Sequence, residues 1–159
     1  QENRRMIVVS DTSPITTLLQ IGRVDLLHEL YGEVLIPEAI RDELSQSHQA
    51  LPEFFQCEPV LGRANVGQLL TEINLGEAEA IVLAKEKNAD FLLIDEIDGR
   101  DVATREGLRI IGLLGVLGEA KFAGLIPSVG DILREIETQT TFYISTKTKN
   151  LVLKLVGEL

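Results

Sequence analysis

Short apolar runs alternate with stretches of helical periodicity along this chain. Four runs predict strands, at residues 7–10, 33–36, 91–94 and 109–111. Helical spacing predicts helices beginning at Ser13 and over residues 24–31, 37–44, 76–87, 97–106, 115–123, 129–137 and 146–156. Strands that alternate with helices form parallel sheets with right-handed crossovers, so the pattern predicts an α/β fold.

Two places along this pattern need separate interpretation. Ser13 is predicted to cap the first helix, with Pro14 at its first helical position. Residues 45–63 are irregular, with polar residues, two prolines and the apolar side chains Leu51, Phe54 and Phe55. This stretch predicts a loop carrying a short helix, which serves either as a lid or as a connector.

The length of 159 residues fits one globular domain. Residues 1–5 are charged and are interpreted as an expression remnant or a short disordered arm, and residues 6–159 as a single domain to which the helices of 129–159 are an appendage. No apolar segment reaches 18 residues, which excludes a membrane span and favours a soluble protein.

The residue types available for chemistry leave mainly oxygen ligands. Cys57 is the only cysteine, so a disulfide within the chain and a cysteine-based zinc site are excluded, and a reducing cytoplasm is expected. His28 and His48 lack a zinc-ligand spacing and are interpreted as ordinary surface or interface residues. Any metal site in this chain is therefore expected to consist of carboxylates.

Two aspartates follow apolar runs that predict buried strands. Asp11 ends the run that begins at Ile7, and Asp95 ends the run that begins at Phe91. Ligands bind at the carboxyl edge of an open parallel sheet, so these two carboxylates are expected to converge there. A cluster of like charges needs a counter-ion, and a hard divalent cation is the usual one. The pair predicts metal-dependent attack on a phosphate ester.

Further acids lie on the predicted helices. Glu43 borders the apolar face of its helix, and Glu77 shares a face with Ile81, whereas Glu79 is rotated by roughly 200°. Glu77 also lies in the first helical turn, where the macrodipole alone favours an acid. Asp98 is either a helix cap or a metal-site acid. The hydroxyl groups of Thr12 and Ser13 would orient a ligand water, although helix capping also explains Ser13.

Basic residues are a minority, with a formal net charge of −10. This balance argues against a broad nucleic-acid-binding face but permits a local one. Arg100, Arg105 and Arg109 follow the Asp95 strand, and Lys147, Lys149 and Lys154 lie near the C-terminus. These positions are either ordinary solvated charges or two modest basic patches, with Arg100 and Arg105 as the candidate nucleic-acid contacts.

Taken together and in this order, four segments resemble the PIN-domain nucleases, and in particular the VapC-like toxins of prokaryotic toxin–antitoxin pairs. The matching segments are Val8 through Ser13, Ile36-Pro37 through Glu43-Leu44, Gly76 through Ala80, and Leu93 through Asp95. The resemblance covers residues 6–125. It implies a three-layer α/β/α sandwich with a central parallel sheet, and a divalent-metal-dependent endoribonuclease that hydrolyses phosphodiesters of single-stranded RNA.

The resemblance also implies roles for individual residues. Asp11 and Asp95 match the strand-end aspartates, Glu43 the helix glutamate, and Glu77 the acid 18 residues before Asp95. These four would be catalytic, and Asp11, Asp95, Glu77 and the accessory acid Asp98 would hold Mg²⁺ or Mn²⁺. Glu stands at position 77 where many relatives have Asp, so Glu79 is an alternative ligand. The partners implied are single-stranded RNA, an antitoxin that inserts a basic side chain among the acids, and a second copy in a homodimer.

Two other functions compete with this one. The first is a PIN-like module with weak or no catalysis that binds RNA or protein, and failure to bind metal at millimolar concentration would favour it. The second is phosphoryl transfer through an aspartate nucleophile, as in haloacid-dehalogenase-like phosphatases. Asp11-Thr12-Ser13 lacks the second aspartate that those enzymes need, and an acyl-phosphate trap would discriminate between the two chemistries.

Overall fold

The strand β1 (Val8–Ser10) is buried on both faces and lies at the centre of the sheet. In the computed structural model, which describes residues 6–47 and 50–159, Val8 and Val9 have no exposed surface. The other strands are β2 (Val34–Pro37), β3 (Phe55–Glu58), β4 (Phe91–Leu93) and β5 (Ile110–Ile111). They pair in the order β3-β2-β1-β4-β5, and every pair is parallel. The predicted α/β class with a central parallel sheet is confirmed.

Helices cover the sheet as outer layers. Within the described residues they are α1 (Thr12–Gln20), α2 (Asp25–Tyr31), α3 (Glu38–Ser47), α4 (Arg63–Leu69), α5 (Leu75–Glu86), α6 (Ile97–Arg105), α7 (Leu113–Phe122), α8 (Val129–Gln139) and α9 (Thr146–Leu155). α5 packs on β1, β2 and β4 and contacts α3, α4 and α6, whereas α2 packs on β2 and contacts α7, which in turn contacts α8 and α9. The result is the α/β/α sandwich.

The core consists almost entirely of aliphatic side chains from both layers. Ile15, Leu27, Ile40, Ile81 and Leu117 have no exposed surface. α5 is buried along most of its length, including its two glutamates, because it lies between the sheet and the neighbouring helices. A polar group in such a position is costly unless it has a partner. The acids of α5 therefore need a structural or functional explanation.

Several sequence-based predictions of local structure were wrong. The described residues between α3 and α4 contain the edge strand β3 rather than a short helix, and α4, which was not predicted, begins at Arg63. β3 gives a weak sequence signal because only Phe55 of its four residues is buried. Pro37 ends β2, and the helix begins one residue later.

The first helix also begins earlier than its sequence suggested. Asp11, not Ser13, is the N-cap residue of α1, and Pro14 lies in the first turn but not at its first position. Glu96, not Asp98, is the N-cap residue of α6. Neither N-cap residue makes a side-chain capping hydrogen bond. These two carboxylates are therefore not consumed by capping their own helices.

The interpretation of residues 1–5 as a remnant or arm, and of His48 as a surface residue, falls outside the described residues. His28 lies on α2, where its ring stacks on Phe54 and its Nδ1 lies 3.1 Å from the carbonyl oxygen of Gly32. In the part of the chain that the structure describes, no helix is long and apolar enough to cross a membrane.

Candidate functional site

A wide cleft opens at the carboxyl ends of β1 and β4. These strands are neighbours, but the chain leaves β1 toward β2 on one side and leaves β4 toward β5 on the other. Such a switch point is where open parallel sheets bind ligands. The cleft has a volume of about 1710 Å³, which exceeds the range of about 300–1,000 Å³ common for small-molecule pockets. Its size suits part of a polymer.

The lining of this cleft is strongly acidic. It contains seven carboxylate side chains and one basic side chain, Arg100. The acids are Asp11, Glu43, Glu72, Glu77, Asp95, Glu96 and Asp98. The structure thus brings together five of the six acids that the sequence predicted, all except Glu79. Glu72 and Glu96 are additional.

Asp11 is fixed at the base of the cleft by backbone pairing. Its N–H donates to the carbonyl oxygen of Leu93 at 2.9 Å, which extends the pairing of β1 with β4 by one residue. The residue is only 5% exposed. Burial raises the pKa of Asp11 to about 7, with a partial offset from the Thr12 backbone and a further increase from nearby carboxylates. The largest of those carboxylate contributions comes from Glu77.

Glu77 belongs both to the helix start and to the cleft. It forms a capping box with Asn74: the Glu77 N–H donates to Asn74 Oδ1 at 2.8 Å, and the Asn74 N–H donates to Glu77 Oε1 at 3.3 Å. The other oxygen, Oε2, lies beside Gly99, where a Cβ atom would approach it to 3.0 Å. Burial raises the pKa of Glu77, and Glu96, Asp98 and Glu43 add to the effect.

Glu43 reaches the cleft from α3 as an exposed residue. Thr12 Oγ1 donates a hydrogen bond to Glu43 Oε2. Its carboxylate also lies against Gly76, where a Cβ atom would approach Oε1 to 3.0 Å. Thr12 therefore orients a carboxylate, which is a different task from orienting a water. Ser13 lines the same cleft.

Asp95 has a different environment from Asp11. Its carboxylate accepts hydrogen bonds from the Leu113 N–H at the start of α7, at 3.1 Å and 3.3 Å. Burial raises the pKa of Asp95, while the Leu113 N–H and the positive charge of Arg100 act in the opposite direction. A Cβ atom on Gly112 would lie 2.7 Å from Asp95 Oδ1 and 2.8 Å from Arg100 Nη1. Glycine at this position permits the close arrangement.

The acids after Asp95 form one exposed edge of the cleft. Asp98, which was predicted, and Glu96, which was not, both line it. Glu96 raises the pKa of Asp11, Glu77 and Asp95 through its charge. The sequence signal for Glu96 was its position directly after a strand-end aspartate and directly before a helix.

Glu79 lies away from the other acids. Its Oε1 accepts the Ala39 N–H at 2.9 Å, and its Oε2 accepts a hydrogen bond from Arg63 Nη1 at 2.8 Å. Glu79 therefore joins the start of α3 to α4 and does not line the cleft. The sequence left Glu77 and Glu79 open as alternatives, and the structure places only Glu77 beside Asp11.

The two predicted nucleic-acid contacts, Arg100 and Arg105, lie in different positions relative to the cleft. Arg100 lines the cleft, where its Nη1 donates to the Ile94 carbonyl oxygen at 3.2 Å. Arg105 does not line the cleft. It forms a bidentate ion pair with Glu72, in which Nη1 and Nη2 donate to the carboxylate oxygens at 2.9 Å and 2.8 Å. Only Arg100 is therefore placed to meet a ligand of the cleft.

The acids have the chemistry of a hard-cation site, because all their donor atoms are oxygen. No Lys or Arg within the described ranges forms an ion pair with Asp11, Glu43 or Glu77. Yet among the described residues no group of three or more His, Cys, Asp or Glu side chains is arranged to hold a metal ion. The donor types fit Mg²⁺ or Mn²⁺, and binding would require these side chains to move closer together.

The protein is therefore a parallel α/β/α sandwich with an acidic cleft at the switch point of its sheet. A family model described as a PIN domain matches residues 7–158, nearly the whole chain. The chain belongs to the PIN-domain family. PIN domains are generally nucleases, which agrees with the position and charge of the cleft. Comparison with curated proteins and with solved structures gave no match.

Proposed function

We propose that this protein is a divalent-metal-dependent endoribonuclease that hydrolyses phosphodiesters of single-stranded RNA. The acid-lined cleft at the ends of β1 and β4 is the observation that carries the proposal. Within it, Asp11 is nearly buried among carboxylates that raise its pKa further, and no basic side chain of the described residues pairs with it.

The charge of the cleft supports a role for added cations. A polyanion such as RNA gains affinity from cationic groups, and seven acids beside one Arg offer the opposite. Mg²⁺ or Mn²⁺, when bound, would neutralise acids and phosphate oxygens together and lower the pKa of a coordinated water. Such neutralisation would reconcile the acidic lining with a nucleic-acid substrate.

The residues of the cleft would divide the work of holding the metal. Asp11 and Glu77 are the principal ligands in this proposal, with Asp95, Glu43 and Asp98 contributing directly or through water. Asn74 holds one oxygen of Glu77 and leaves the other beside Gly99. Thr12 orients Glu43, and the start of α7 orients Asp95. Orientation of ligands by hydrogen bonds of this kind tunes metal sites.

Calorimetric titration with Mn²⁺ tests the proposal without a choice of RNA. We expect saturable binding to the wild type and its loss in Asp11→Asn. Glu79→Gln is the matched control, because it removes a buried carboxylate outside the cleft and should bind Mn²⁺ as the wild type does. A labelled single-stranded RNA incubated with each protein then reports cleavage. Binding without cleavage of any RNA would overturn the nuclease activity, and equal Mn²⁺ binding by Asp11→Asn would overturn the site.

A PIN-like module that binds RNA or protein without catalysis is the second candidate. Two observations favour it. The first is that no three acids in the part of the chain that the structure covers form a ready metal site. Asp95 adds to this, since its carboxylate is already engaged by α7 and Arg100. Absence of Mn²⁺ binding to the wild type at millimolar concentration would select this function.

A role as the toxin of a toxin–antitoxin pair would also imply protein partners and a cellular compartment. We propose that an antitoxin covers the cleft and inserts a basic side chain among its acids, that the protein acts in the prokaryotic cytoplasm, and that it forms a homodimer. The excess of acids over bases in the cleft supports a basic insertion. Co-expression with a small basic protein that is encoded next to this one, followed by pull-down and cleavage assays, would test directly whether such a partner binds and inhibits cleavage.

A further inference from the structure

The wall of the cleft formed by the C-terminal segment, residues 140–157, is uncharged, in contrast to the acids opposite it. Outside the lining, the segment carries three lysines and no Asp or Glu, in a chain whose formal net charge is −10. Six of its residues line the cleft: Thr141, Phe142, Tyr143, Ile144, Ser145 and Thr148. No sequence signal indicated that residues 141–145 and 148 line the cleft.

Tyr143 is turned outward by the alternation of its neighbours. Phe142 and Ile144 pack against the core, whereas Tyr143 is 83% exposed. A single exposed aromatic residue is common on protein surfaces. Here the ring belongs to the lining of the cleft where the substrate of the proposed function would lie, and two other exposed apolar residues of that lining, Leu70 and Ile97, come from other elements.

The segment is held in place at both ends. At its start, the Phe142 N–H donates to Thr140 Oγ1 at 3.1 Å, and Ser145 Oγ caps α9 by accepting the Thr148 N–H at 3.1 Å. Just beyond its end, Glu158 accepts the Val129 and Gly130 N–H groups at 2.7 Å and 2.9 Å. Tyr143 is therefore presented by a fixed support, which reduces the entropic cost of binding.

An exposed lysine without an ion pair to any described residue follows the tyrosine by four positions. Lys147 is in the first turn of α9, between the cleft-lining residues Ser145 and Thr148. Lys149 pairs with Glu137 at 3.1 Å, whereas Lys147 forms no ion pair with any described residue. Lys147 itself does not line the cleft, but it lies four residues along the chain from Tyr143. Single-stranded nucleic acids bind through base stacking on an aromatic ring together with phosphate contact by basic side chains.

We infer that Tyr143 is a base-stacking residue for single-stranded nucleic acid, and that Lys147 contacts a phosphate of the same strand. This inference rests on the proposed function for the placement of the strand in the cleft. It assigns recognition to the C-terminal segment and leaves hydrolysis to the acids. A duplex should bind poorly at this position, because its bases are already stacked on each other and cannot lie on the ring.

The absence of tryptophan from the chain provides a direct test. Tyr143→Trp introduces a single indole, whose fluorescence should be quenched when a base stacks on it. We would titrate this full-length variant in Mg²⁺ buffer with three ligands: a short single-stranded RNA, the same RNA strand without its bases, and the RNA duplex. Anisotropy of a labelled RNA would report saturation, and a gel would report whether the RNA is cut. Quenching is expected with the single strand only.

Matched variants separate stacking from other contacts. Tyr143→Phe should bind the RNA as the wild type does, whereas Tyr143→Leu should bind about 5- to 150-fold more weakly, the range that loss of one stacked base of about 1–3 kcal/mol implies. Lys147→Gln should lower the slope of log affinity against log salt by about 0.7, and Lys154→Gln, which removes the same charge at the far end of α9, should not.

Three results would overturn the inference. They are unchanged indole fluorescence of the Tyr143→Trp variant at RNA saturation, equal quenching by the abasic chain, and wild-type RNA affinity of Tyr143→Leu. If Tyr143→Leu lost binding to a protein partner while RNA affinity remained, the residue would belong to a protein interface instead. Stacking without any RNA cleavage would leave the inference intact and would contradict only the nuclease proposal, so the two failures are distinguishable.

Discussion

The ends of β1 and β4 carry the same sequence signal, an aspartate after a buried apolar run, but they have different surroundings. Asp11 faces the carboxylates of Glu77, Glu43 and Glu96. Asp95 faces the N-terminus of α7 and the charge of Arg100. The carboxylate of Asp11 thus has only the Thr12 backbone to offset burial and repulsion, whereas that of Asp95 also has a cation nearby. In a protein of this kind, an unsatisfied charge marks the place where a ligand is needed.

The largest predicted effect separates these two aspartates. Asp11→Asn should reduce divalent-dependent RNA cleavage by at least about 100-fold, because a metal ligand contributes several kcal/mol to the transition state. The same change should raise the melting temperature of the metal-free protein, because it removes a buried charge that other acids repel. Asp95→Asn should also lose cleavage.

The melting temperatures distinguish the roles of the two residues. Asp95→Asn should melt below Asp11→Asn, because it leaves the Arg100 guanidinium without its nearby negative charge. Both should be measured by calorimetry in EDTA, with circular dichroism as the control for fold. If the two variants had equal melting temperatures, the difference in environment would have no energetic meaning. Full cleavage activity in either variant would remove that residue from the site.

The pH dependence of stability provides a second test of Asp11. Its pKa is raised from 3.8 to about 7 by folding, so the folded protein holds this proton more tightly. The associated stability is present below about pH 4 and is lost as pH rises through 7, by on the order of a few kcal/mol. The pKa of Glu158 is lowered to about 2 despite the opposing effect of its burial. Its contribution to the free energy of unfolding therefore changes at lower pH than that of Asp11.

Thermal unfolding in EDTA between pH 4.5 and 7.5 measures this effect. The wild type should lose stability across the interval, and Asp11→Asn should lose less. Parallel curves for the two proteins would show that the ionisation of Asp11 is not shifted as described. Addition of Mn²⁺ at pH 7.5 should restore stability to the wild type more than to the variant, since a ligand that binds only the folded state stabilises it.

The sequence was sufficient to predict the parts of the fold that depend on local periodicity. β1, β2, β4 and the long helices have strong apolar patterns, and the predicted strands and helices match them within a few residues. β3 was missed because an edge strand with one buried side chain resembles a loop. α4 was missed because its two buried residues, Val66 and Leu69, give too little periodicity.

The candidate site was likewise predictable only where it depends on local periodicity. Strand ends of a parallel sheet converge, which placed Asp11 and Asp95, whereas helical rotation showed only that Glu77 and Glu79 lie on different faces and left both open as ligands. What the sequence did not contain is pairing between distant elements. Arg63 with Glu79, Glu72 with Arg105 and α7 with Asp95 each join residues 16 or more positions apart.

A smaller predicted effect concerns the glycine that accommodates Asp95. Gly112→Ala places a Cβ atom at 2.7 Å from Asp95 Oδ1, so the carboxylate and Arg100 must shift. We expect about a 10-fold loss of cleavage, the lower end of what displaced ligand supports cost. Gly67→Ala is the matched control, because a Cβ atom there meets nothing within 4 Å. Cleavage by Gly67→Ala should equal that of the wild type, and equal cleavage by Gly112→Ala would show that Asp95 tolerates displacement.

The smallest predicted effect lies outside the cleft and tests where the acid cluster ends. Glu79→Gln weakens the bonds to Arg63 and to the Ala39 N–H, so the free energy of unfolding should fall by about 1.5–3 kcal/mol, as for hydrogen bonds to a charged group. Cleavage rate and Mn²⁺ affinity should stay at the wild-type level, whereas Glu77→Gln should lower both. Urea unfolding and calorimetry measure the two quantities separately. Loss of Mn²⁺ affinity in Glu79→Gln would show that the metal site extends to the far side of α5. An acid whose two oxygens are already hydrogen-bonded would then also be a ligand, so hydrogen bonding would not distinguish the acids that bind metal from those that do not.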